Sequence, residues 1–291
     1  MSTRSLPDET AESTESTAPD RMPDAPPIGP GLPSTRPGRG LSPGMRSAAA
    51  TGFLLVVLFV AVEVGVATEL LESTGLPLPS EVLAATATLL GDGVFWADFG
   101  RTSLEVGASI VAGTVLGLAS GILFWKVPGL GRMFEPYLVS FYAVPLVLFY
   151  PMMIVLVGIN AASVIILSSI MAAIPLALNT RTGLMGIRPV FLKLARAVQC
   201  GPARTLFSVA IPAAAPMIVA GLRLAVVYAL IGAIAMEFTT AQAGLGFRIR
   251  YLYETFDNPT MFAYIFVVLI ISVVLTAVMA LIERVLLKGR Q

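Results

Sequence analysis

Six long apolar stretches are the feature that most constrains this chain. They cover residues 47–68, 104–125, 136–158, 162–180, 213–236 and 261–285. Each is about 20 residues long, the length at which a helix crosses roughly 30 Å of hydrocarbon. An unbroken apolar run satisfies its backbone polar groups in lipid only as a helix. With a mean hydropathy of +0.84 and 13% charged residues, the sequence predicts an all-α membrane protein with six transmembrane helices.

The first 46 residues differ in composition from the rest. They are rich in Pro, Ser, Thr, Glu and Asp and poor in aliphatic residues, so they cannot bury enough apolar surface to offset the entropy of ordering. We expect a disordered, Pro-rich cytoplasmic tail over residues 1–46 and a transmembrane domain over residues 47–291. No apolar core precedes residue 48, so no secretory signal is expected.

The chain lacks the residues of several kinds of chemistry. It has no histidine and a single cysteine, Cys200, which argues against a metal centre, a histidine proton relay and an intrachain disulfide. It also lacks the Gly-x-x-x-x-Gly-Lys-Ser/Thr loop that cradles ATP phosphates. We therefore expect no catalytic residues, no metal and no cofactor held by this chain, and no nucleic-acid partner.

The distribution of Arg and Lys predicts the orientation. An N-terminus inside the cell puts most basic residues on the cytoplasmic side and leaves only Arg101, Arg248 and Arg250 outside. The positive-inside rule favours this arrangement, with both termini cytoplasmic and the long segments 69–103 and 237–260 outside. In the first of these, Ser80 is the expected N-cap of a short helix, and a capping or packing role is expected for Glu63 of the first span.

Residues 181–212 form a charged interruption between the fourth and fifth spans, on the predicted cytoplasmic side. Pro189 can begin a helix there. Helical spacing puts one set of side chains on an apolar face and another on a polar face: Phe191, Leu194 and Val198 on the first, and Lys193, Arg196 and Cys200 on the second.

Gly201 and Pro202 then predict a helix end and a new helix start, with a second short helix ending before Pro212. Because a β-branched residue resists a sharp bend, Gly201→Val is expected to impair this turn. The segment either docks into a groove on a soluble partner or lies on the membrane surface as an amphipathic helix. The residues alone favour neither alternative.

The same segment resembles the cytoplasmic loop of bacterial ABC importer permeases, whose consensus is Glu-Ala-Ala, three residues, Gly, nine residues, Ile, any residue, Leu, Pro. In register with Gly201, the first three positions are Ala195, Arg196 and Ala197. The family glutamate is thus replaced by Ala195, and the distance from Gly201 to Pro212 is two residues shorter than in the consensus.

Other motifs resemble the nitrate, sulfonate and taurine branch of these permeases. They are LPLPSEVL at 76–83, AVPLVLFYPMMIVLVGIN at 143–160, GLRLAV at 221–226, Met236-Glu237 and AGLGF at 243–247. Together they cover residues 48–288 in the expected order. The chain is identified as a member of this family, with the MetI-like type I fold and its cytoplasmic coupling helices.

The resemblance implies an ATP-driven importer in the bacterial inner membrane. Two permease copies, as a homodimer, would work with two ABC ATPase subunits, which use the ATP, and with an extracytoplasmic solute-binding protein. The residues implied in ATPase coupling are Lys193, Ala195, Arg196, Ala197, Gly201 and Arg204. Nitrate, a sulfonate or taurine is the implied solute, although relatives in this branch also carry heterocyclic vitamin precursors.

Candidates for the translocation pathway are the polar or helix-distorting residues of the third span and one acid of the fifth: Tyr142, Pro145, Tyr150, Asn160 and Glu237. Glu105 is expected at the membrane interface, and the glycines at 107, 113, 117 and 121 are expected to pack helices. The rival functions are a secondary transporter, which favours carboxylates near the midplane and repeated halves, and a structural membrane subunit without an ATPase.

Overall fold

The computed structural model describes residues 43–68 and 75–287, and every regular element in these ranges is a helix. The predicted tail lies outside the described residues, except that 43–46 form the first turn of a helix. In chain order the α-helices are α1 (Pro43–Ala67), α2 (Pro79–Leu89), α3 (Gly93–Lys126), α4 (Pro128–Ala143), α5 (Tyr150–Val157), α6 (Ala161–Met185), α7 (Pro189–Ala197), α8 (Pro202–Thr205), α9 (Ile211–Thr240), α10 (Leu245–Glu254) and α11 (Asn258–Leu287).

Contacts within the chain separate two units, Met1–Gly52 and Phe53–Gln291. The described part of the first unit is the opening of α1. The second unit contains the rest of α1 and all the other helices.

Among the described residues, five helical segments are long and apolar enough to cross a membrane: Ala50–Ala67, Gly93–Lys126, Ala161–Met185, Pro202–Thr239 and Asn258–Val285. The bent pair α4 and α5 makes a sixth if counted as one span. The predicted all-α fold is confirmed. Asp92 accepts a hydrogen bond from Val94 N and begins α3 at Gly93, so the helix that contains the second predicted span starts well before residue 104.

The third predicted span, 136–158, is not one straight helix. Helix α4 ends at Ala143, a 3₁₀ turn covers Leu146–Phe149, and α5 continues at an angle of 90°. At the break Val144 is extended, and Pro145, with φ −67° and ψ 88°, is not helical. Proline has no backbone N–H to donate and disfavours the helical conformation at the residue before it, so Pro145 accounts for the interruption.

Helix α3 packs mainly against α6, and α6 packs against α9. Three glycines of α3 make the first contact possible. A Cβ on Gly113, Gly117 or Gly121 would lie 2.7 to 2.8 Å from the nearest atom of α6, closer than real Cβ atoms approach. Gly107, also predicted to pack helices, has no atom within 4 Å of its Cβ position. The glycines of α3 that are spaced four residues apart, from Gly113 to Gly121, therefore make the close contact with α6.

Helix α2 begins differently from the prediction. Leu78 is its N-cap, Pro79 follows it, and the Glu81 side chain accepts a hydrogen bond from Leu78 N. Ser80 therefore lies inside the first turn. Its backbone N and hydroxyl donate to the Glu63 carboxylate of α1, at 3.1 and 2.6 Å, which confirms the capping role of Glu63.

Candidate functional site

The first candidate site is the segment from α7 to the start of α9, defined here as the coupling segment. Helix α7 begins at Pro189 as predicted. It turns Leu192 and Ala195 inward, and Leu192 packs against a core cluster that contains Leu184 and Leu206. The predicted apolar face points away from this core, since Leu194 is 60% exposed and Val198 is 63% exposed.

A tight turn follows α7. Gln199 has a φ of 53°, and its backbone N–H donates to Arg196 O while Cys200 N donates to Ala195 O, at 3.0 and 2.9 Å. These two bonds form a Schellman motif, in which a glycine usually occupies the left-handed position. Here that position is Gln199. Gly201 is extended, with φ −61° and ψ 159°, and a Cβ there would meet no atom within 4 Å, so the expectation that the bend depends on Gly201 is wrong.

The second short helix does not end before Pro212. Helix α8 begins at Pro202 as predicted, passes through one π-helical turn at Leu206–Ala210 and continues directly as α9. Pro212 is the second residue of α9 and directly follows the π-helical turn, so the continuous segment contains this proline without ending there. A single helical segment thus runs from the turn to the other end of the bundle.

The structure leaves most of the predicted coupling residues accessible. Exposed positions are Lys193, Arg196, Ala197, Gly201 and Arg204. Ala195 is the exception, with 3% exposure. Beside these residues lies an apolar groove of about 610 Å³ between α7 and the start of α9, lined by Phe191, Leu194, Val198, Val209 and Pro212 among others.

The second candidate site lies at the opposite end of α9, around Glu237, which is fully buried. Both carboxylate oxygens of Glu237 have donors. Thr102 Oγ1 of α3 lies 2.7 and 2.9 Å from them, and Gly246 N donates to Oε2 at 2.8 Å. The Thr102 hydroxyl in turn accepts a hydrogen bond from Leu245 N at 2.8 Å. Glu237 therefore ties α3, α9 and the first turn of α10 together.

A second acid of α3, Asp98, binds the connection between α9 and α10. Asp98, which is 5% exposed, accepts from Gly244 N at 3.2 Å and from Arg248 Nε at 2.8 Å. Burial disfavours the charge on Arg248, but the hydrogen bond and the attraction of Asp98 outweigh it and raise the pKa of the guanidinium. Gly244 has a φ of 108°, a conformation that favours glycine.

Glu105, expected at the membrane interface, is buried within the helix bundle. It is 1% exposed, with its Oε1 at 2.5 Å from Arg101 Nε on the preceding turn of α3. A cavity of about 360 Å³ opens beside it, defined here as the Glu105 pocket and lined by Arg101, Glu105, Tyr150, Ile159, Asn160, Val164, Ala241, Gln242 and Ala243. The spacing of Arg101 and Glu105, one turn apart, is a sequence signal that could have indicated the pair.

The predicted pathway residues fall in different places. Tyr150 and Asn160 line the Glu105 pocket, and Asn160 also caps α6 by accepting from Ala162 N and Ser163 N at 2.8 and 3.2 Å. Pro145 lines a separate apolar cavity of about 300 Å³. Tyr142 lies near the end of α4, and its side chain is outside the described part of the structure.

Comparisons with known proteins agree with this architecture. Residues 113–288 match the family described as the binding-protein-dependent transport system inner membrane component. The chain is 26% identical over 217 residues to the formylaminopyrimidine transport permease protein ThiX of Halalkalibacterium halodurans, covering 74% of this chain and 86% of that protein. It is also 26% identical over 221 residues to the taurine transport system permease protein TauC of Escherichia coli, covering 74% and 80%.

A probable ABC transporter permease protein of Brucella melitensis is 30% identical over 222 residues, which cover 74% of this chain and 89% of the relative. Among solved structures, the MetNI methionine ABC transporter in an inward-facing conformation matches with a TM-score of 0.57 and 22% identity, covering 68% of this chain and 96% of the matched one. That likeness shows a shared fold.

The family match spans more than half of the chain. ATP hydrolysis in such systems resides in a separate subunit, and solute is delivered by a binding protein. The chain therefore belongs to the binding-protein-dependent transport system inner membrane component family and is the multi-pass permease subunit of an ABC importer for small solutes.

Proposed function

We propose that this permease forms a homodimer with two ATPase subunits, which dock on its coupling segment from the cytoplasm. The observation that carries the proposal is the exposed apolar face of α7. Leu194 and Val198 are more than half exposed beside the charged Arg196, at a helix whose other face is buried. An amphipathic helix that presents apolar anchors with a charged rim is suited to a groove on a partner.

The structure also supports a mechanical role for this segment. Because α8, the π-helical turn and α9 are continuous, a displacement of the turn moves the helix that carries Glu237. Closure of the ATPase dimer would then change access to the solute at the far end, as a rigid-body transition. Positive charge at the α7 end supports a cytoplasmic location for this end and an outer location for α10.

We further propose that the solute is a small organic molecule or oxoanion of the nitrate, sulfonate and taurine class. The support is the similarity to TauC and to a putative aliphatic sulfonates transport permease protein of Bacillus subtilis, which is 25% identical over 240 residues. The relative named for formylaminopyrimidine transport is the observation that favours a heterocyclic solute as the second candidate. A ligand screen on the partner binding protein by thermal shift separates the two.

Charge reversal tests the docking surface. Arg204→Glu should reduce co-purification of the ATPase and lower uptake, because Arg204 is exposed on the first turn after the bend. The matched control is Arg132→Glu, an exposed arginine at the same end of the bundle, in α4, which should retain both. Equal ATPase binding by wild type and Arg204→Glu, at equal membrane abundance, would contradict docking here.

A further inference from the structure

The carboxyl groups of Glu105 and Glu237 are hydrogen-bonded to each other where α3 meets α9. Both residues are buried, with 1% and 0% exposure. An ionised carboxylate has only acceptor oxygens, whereas a protonated carboxyl also has an O–H donor. Two carboxyl groups therefore form a hydrogen bond only when one of them carries a proton, so this contact requires a proton that the pair binds.

The donors around the pair leave one position for this proton. Glu237 already accepts from a hydroxyl and a backbone N–H, those of Thr102 and Gly246. Glu105 Oε1 is paired with Arg101, whereas Oε2 is enclosed and meets no N–H or hydroxyl donor among the described residues. Buried polar atoms are nearly always hydrogen-bonded. A proton between the two carboxyl groups supplies the bond that Oε2 otherwise lacks.

One proton also balances the charge of this buried cluster. With both acids ionised, two negative charges would face the one positive charge of Arg101, and a buried charge without a partner is unfavourable. With one proton on the pair, the cluster of Glu105, Glu237 and Arg101 is neutral. Two carboxyl groups in one buried site generally ionise one at a time for the same reason.

The surrounding elements add few other titratable or charged groups. The lining of the Glu105 pocket contributes Tyr150 of α5 and no charged residue besides Arg101 and Glu105. The other such groups near this junction, within the described ranges, come from α3, α10 and α11: Asp98, Arg248, Arg250 and Tyr264. Asp98 and Arg248 neutralise each other at 2.8 Å, and Arg250 donates to backbone carbonyls. The carboxyl pair is thus the part of the junction that needs a proton.

We propose that Glu105 and Glu237 form a proton-binding site, and that the bound proton holds together α3, the end of α9 and the first turn of α10. Solvent approaches the site through the Glu105 pocket, where Asn160 and Gln242 are exposed. The proton therefore exchanges with the solution at this end of the bundle.

This site makes the junction sensitive to pH. Loss of the proton leaves two adjacent carboxylates, whose repulsion weakens the bonds from Thr102 and Gly246 to Glu237. In the unfolded chain both glutamates are ionised above about pH 4 to 5, so the folded protein binds one proton more than the unfolded chain. The stabilisation is consequently present at low pH and is lost as the pH rises.

Infrared spectroscopy of the full-length permease in nanodiscs tests for the proton. Spectra with and without isotope-labelled glutamate carboxyls are subtracted at about pH 7, where exposed glutamates are ionised. The wild type should show a carboxylic-acid C=O band, which Glu105→Gln and Glu237→Gln should each abolish, because the amide replaces the proton as donor. Glu254→Gln is the matched control: Glu254 is exposed and also lies one helical turn from an arginine, and this variant should retain the band.

Unfolding measurements test the role of the proton in stability. Glu105→Gln keeps the cluster neutral without a titratable proton. From about pH 6 to about pH 9, the unfolding constant of the wild type in SDS should rise relative to that of Glu105→Gln, by up to about tenfold per pH unit. Glu254→Gln should follow the wild type. Hydrogen exchange of the Leu245 and Gly246 amides should also become faster in the wild type than in Glu105→Gln at the same high pH.

Two results would overturn the inference. A wild type without the carboxylic-acid band, or a band that both pair variants retain, would show that the two acids do not bind a proton. Parallel pH dependence of the wild type and folded Glu105→Gln would show that the proton does not hold the junction. If Glu105→Gln does not fold, the wild type alone decides: loss of its band at high pH without faster exchange at Leu245 and Gly246 contradicts the proposed role.

Discussion

The Thr102 hydroxyl of α3 links two parts of the chain that are distant in sequence. It donates to the Glu237 carboxylate and accepts from Leu245 N, so one small side chain connects α3 to the end of α9 and to the start of α10. Both bonds are buried, where the loss of a partner leaves a polar group without compensation from water.

Thr102→Val keeps the shape of this side chain and removes both bonds. We expect the free energy of unfolding to fall by about 2 kcal/mol, because the Leu245 N–H and the Glu237 carboxylate each lose a buried partner. Thermal unfolding of the purified permease measures the change. Thr239→Val is the control, since the Thr239 hydroxyl is exposed and bonds only to Ala235 O in its own helix. A similar melting temperature for the two variants would argue against the link.

At the scale of elements, the close contact of α3 with α6 depends on the absence of side chains at three positions of α3. Gly117 lies in the middle of this stripe, and a Cβ there would be 2.8 Å from both Ala173 O and Leu176 Cβ. The neighbouring backbone cannot move without separating the two helices. The contact therefore has a strict limit on side-chain size.

Gly117→Ala and Gly107→Ala make the same chemical change ten residues apart on one helix. The first should destabilise the permease by about 1 to 3 kcal/mol through overpacking. The second should be neutral or stabilising, because alanine favours the helix by about 0.5 to 1 kcal/mol over glycine and its Cβ meets no atom within 4 Å. Melting temperatures in detergent compare them, and a loss at Gly107 as large as at Gly117 would contradict the packing described.

The turn after α7 holds Gln199 in the left-handed conformation, with a φ of 53°. Gln199→Gly should stabilise the turn by about 1 kcal/mol, because the left-handed conformation costs a side-chain-bearing residue that much. Gly201→Ala should have little effect, as its backbone is extended and its surroundings are open. Uptake and thermal stability are measured for both. A loss of stability in Gly201→Ala, with no gain in Gln199→Gly, would show that the turn depends on Gly201 instead.

At the scale of the whole molecule, the two ends of the helix bundle differ in chemistry. The α7 end presents exposed basic residues and an apolar face. At the α10 end, the three arginines that the positive-inside rule left outside all have partners: Arg101 with Glu105, Arg248 with Asp98, and Arg250 with the carbonyls of Thr239 and Ala241. Paired arginines at this end are compatible with an outer location.

The single cysteine makes this orientation measurable. Cys200 is partly exposed in the turn after α7, so a membrane-impermeant maleimide should label it only after the cytoplasmic side is opened. A Gln242→Cys variant in a Cys200→Ser background should be labelled in intact cells, because residue 242 is exposed at the other end. The reverse labelling pattern would invert the topology. Detergent-solubilised protein, in which both sites react, is the control.

The spans could be predicted from the sequence because hydropathy is a local property. The break at Pro145 could not, since Pro136, Pro175 and Pro216 all remain inside helices and membrane helices tolerate proline when neighbouring groups compensate. The Glu105 pocket was missed for a different reason. Its lining residues come from separate parts of the sequence, from Arg101 to Ala243, and no local pattern indicates that these segments meet.

The uninterrupted segment Pro202–Thr239, 38 residues long, also fixes an angular relationship. An α-helix turns by about 100° per residue over its length of about 57 Å. The direction in which Glu237 points is thus set by the number of residues that separate it from the turn at Gln199. Inserting or deleting one residue in α9 would rotate the carboxylate away from Thr102, so the hydrogen bond between these two residues depends on the length of this helix.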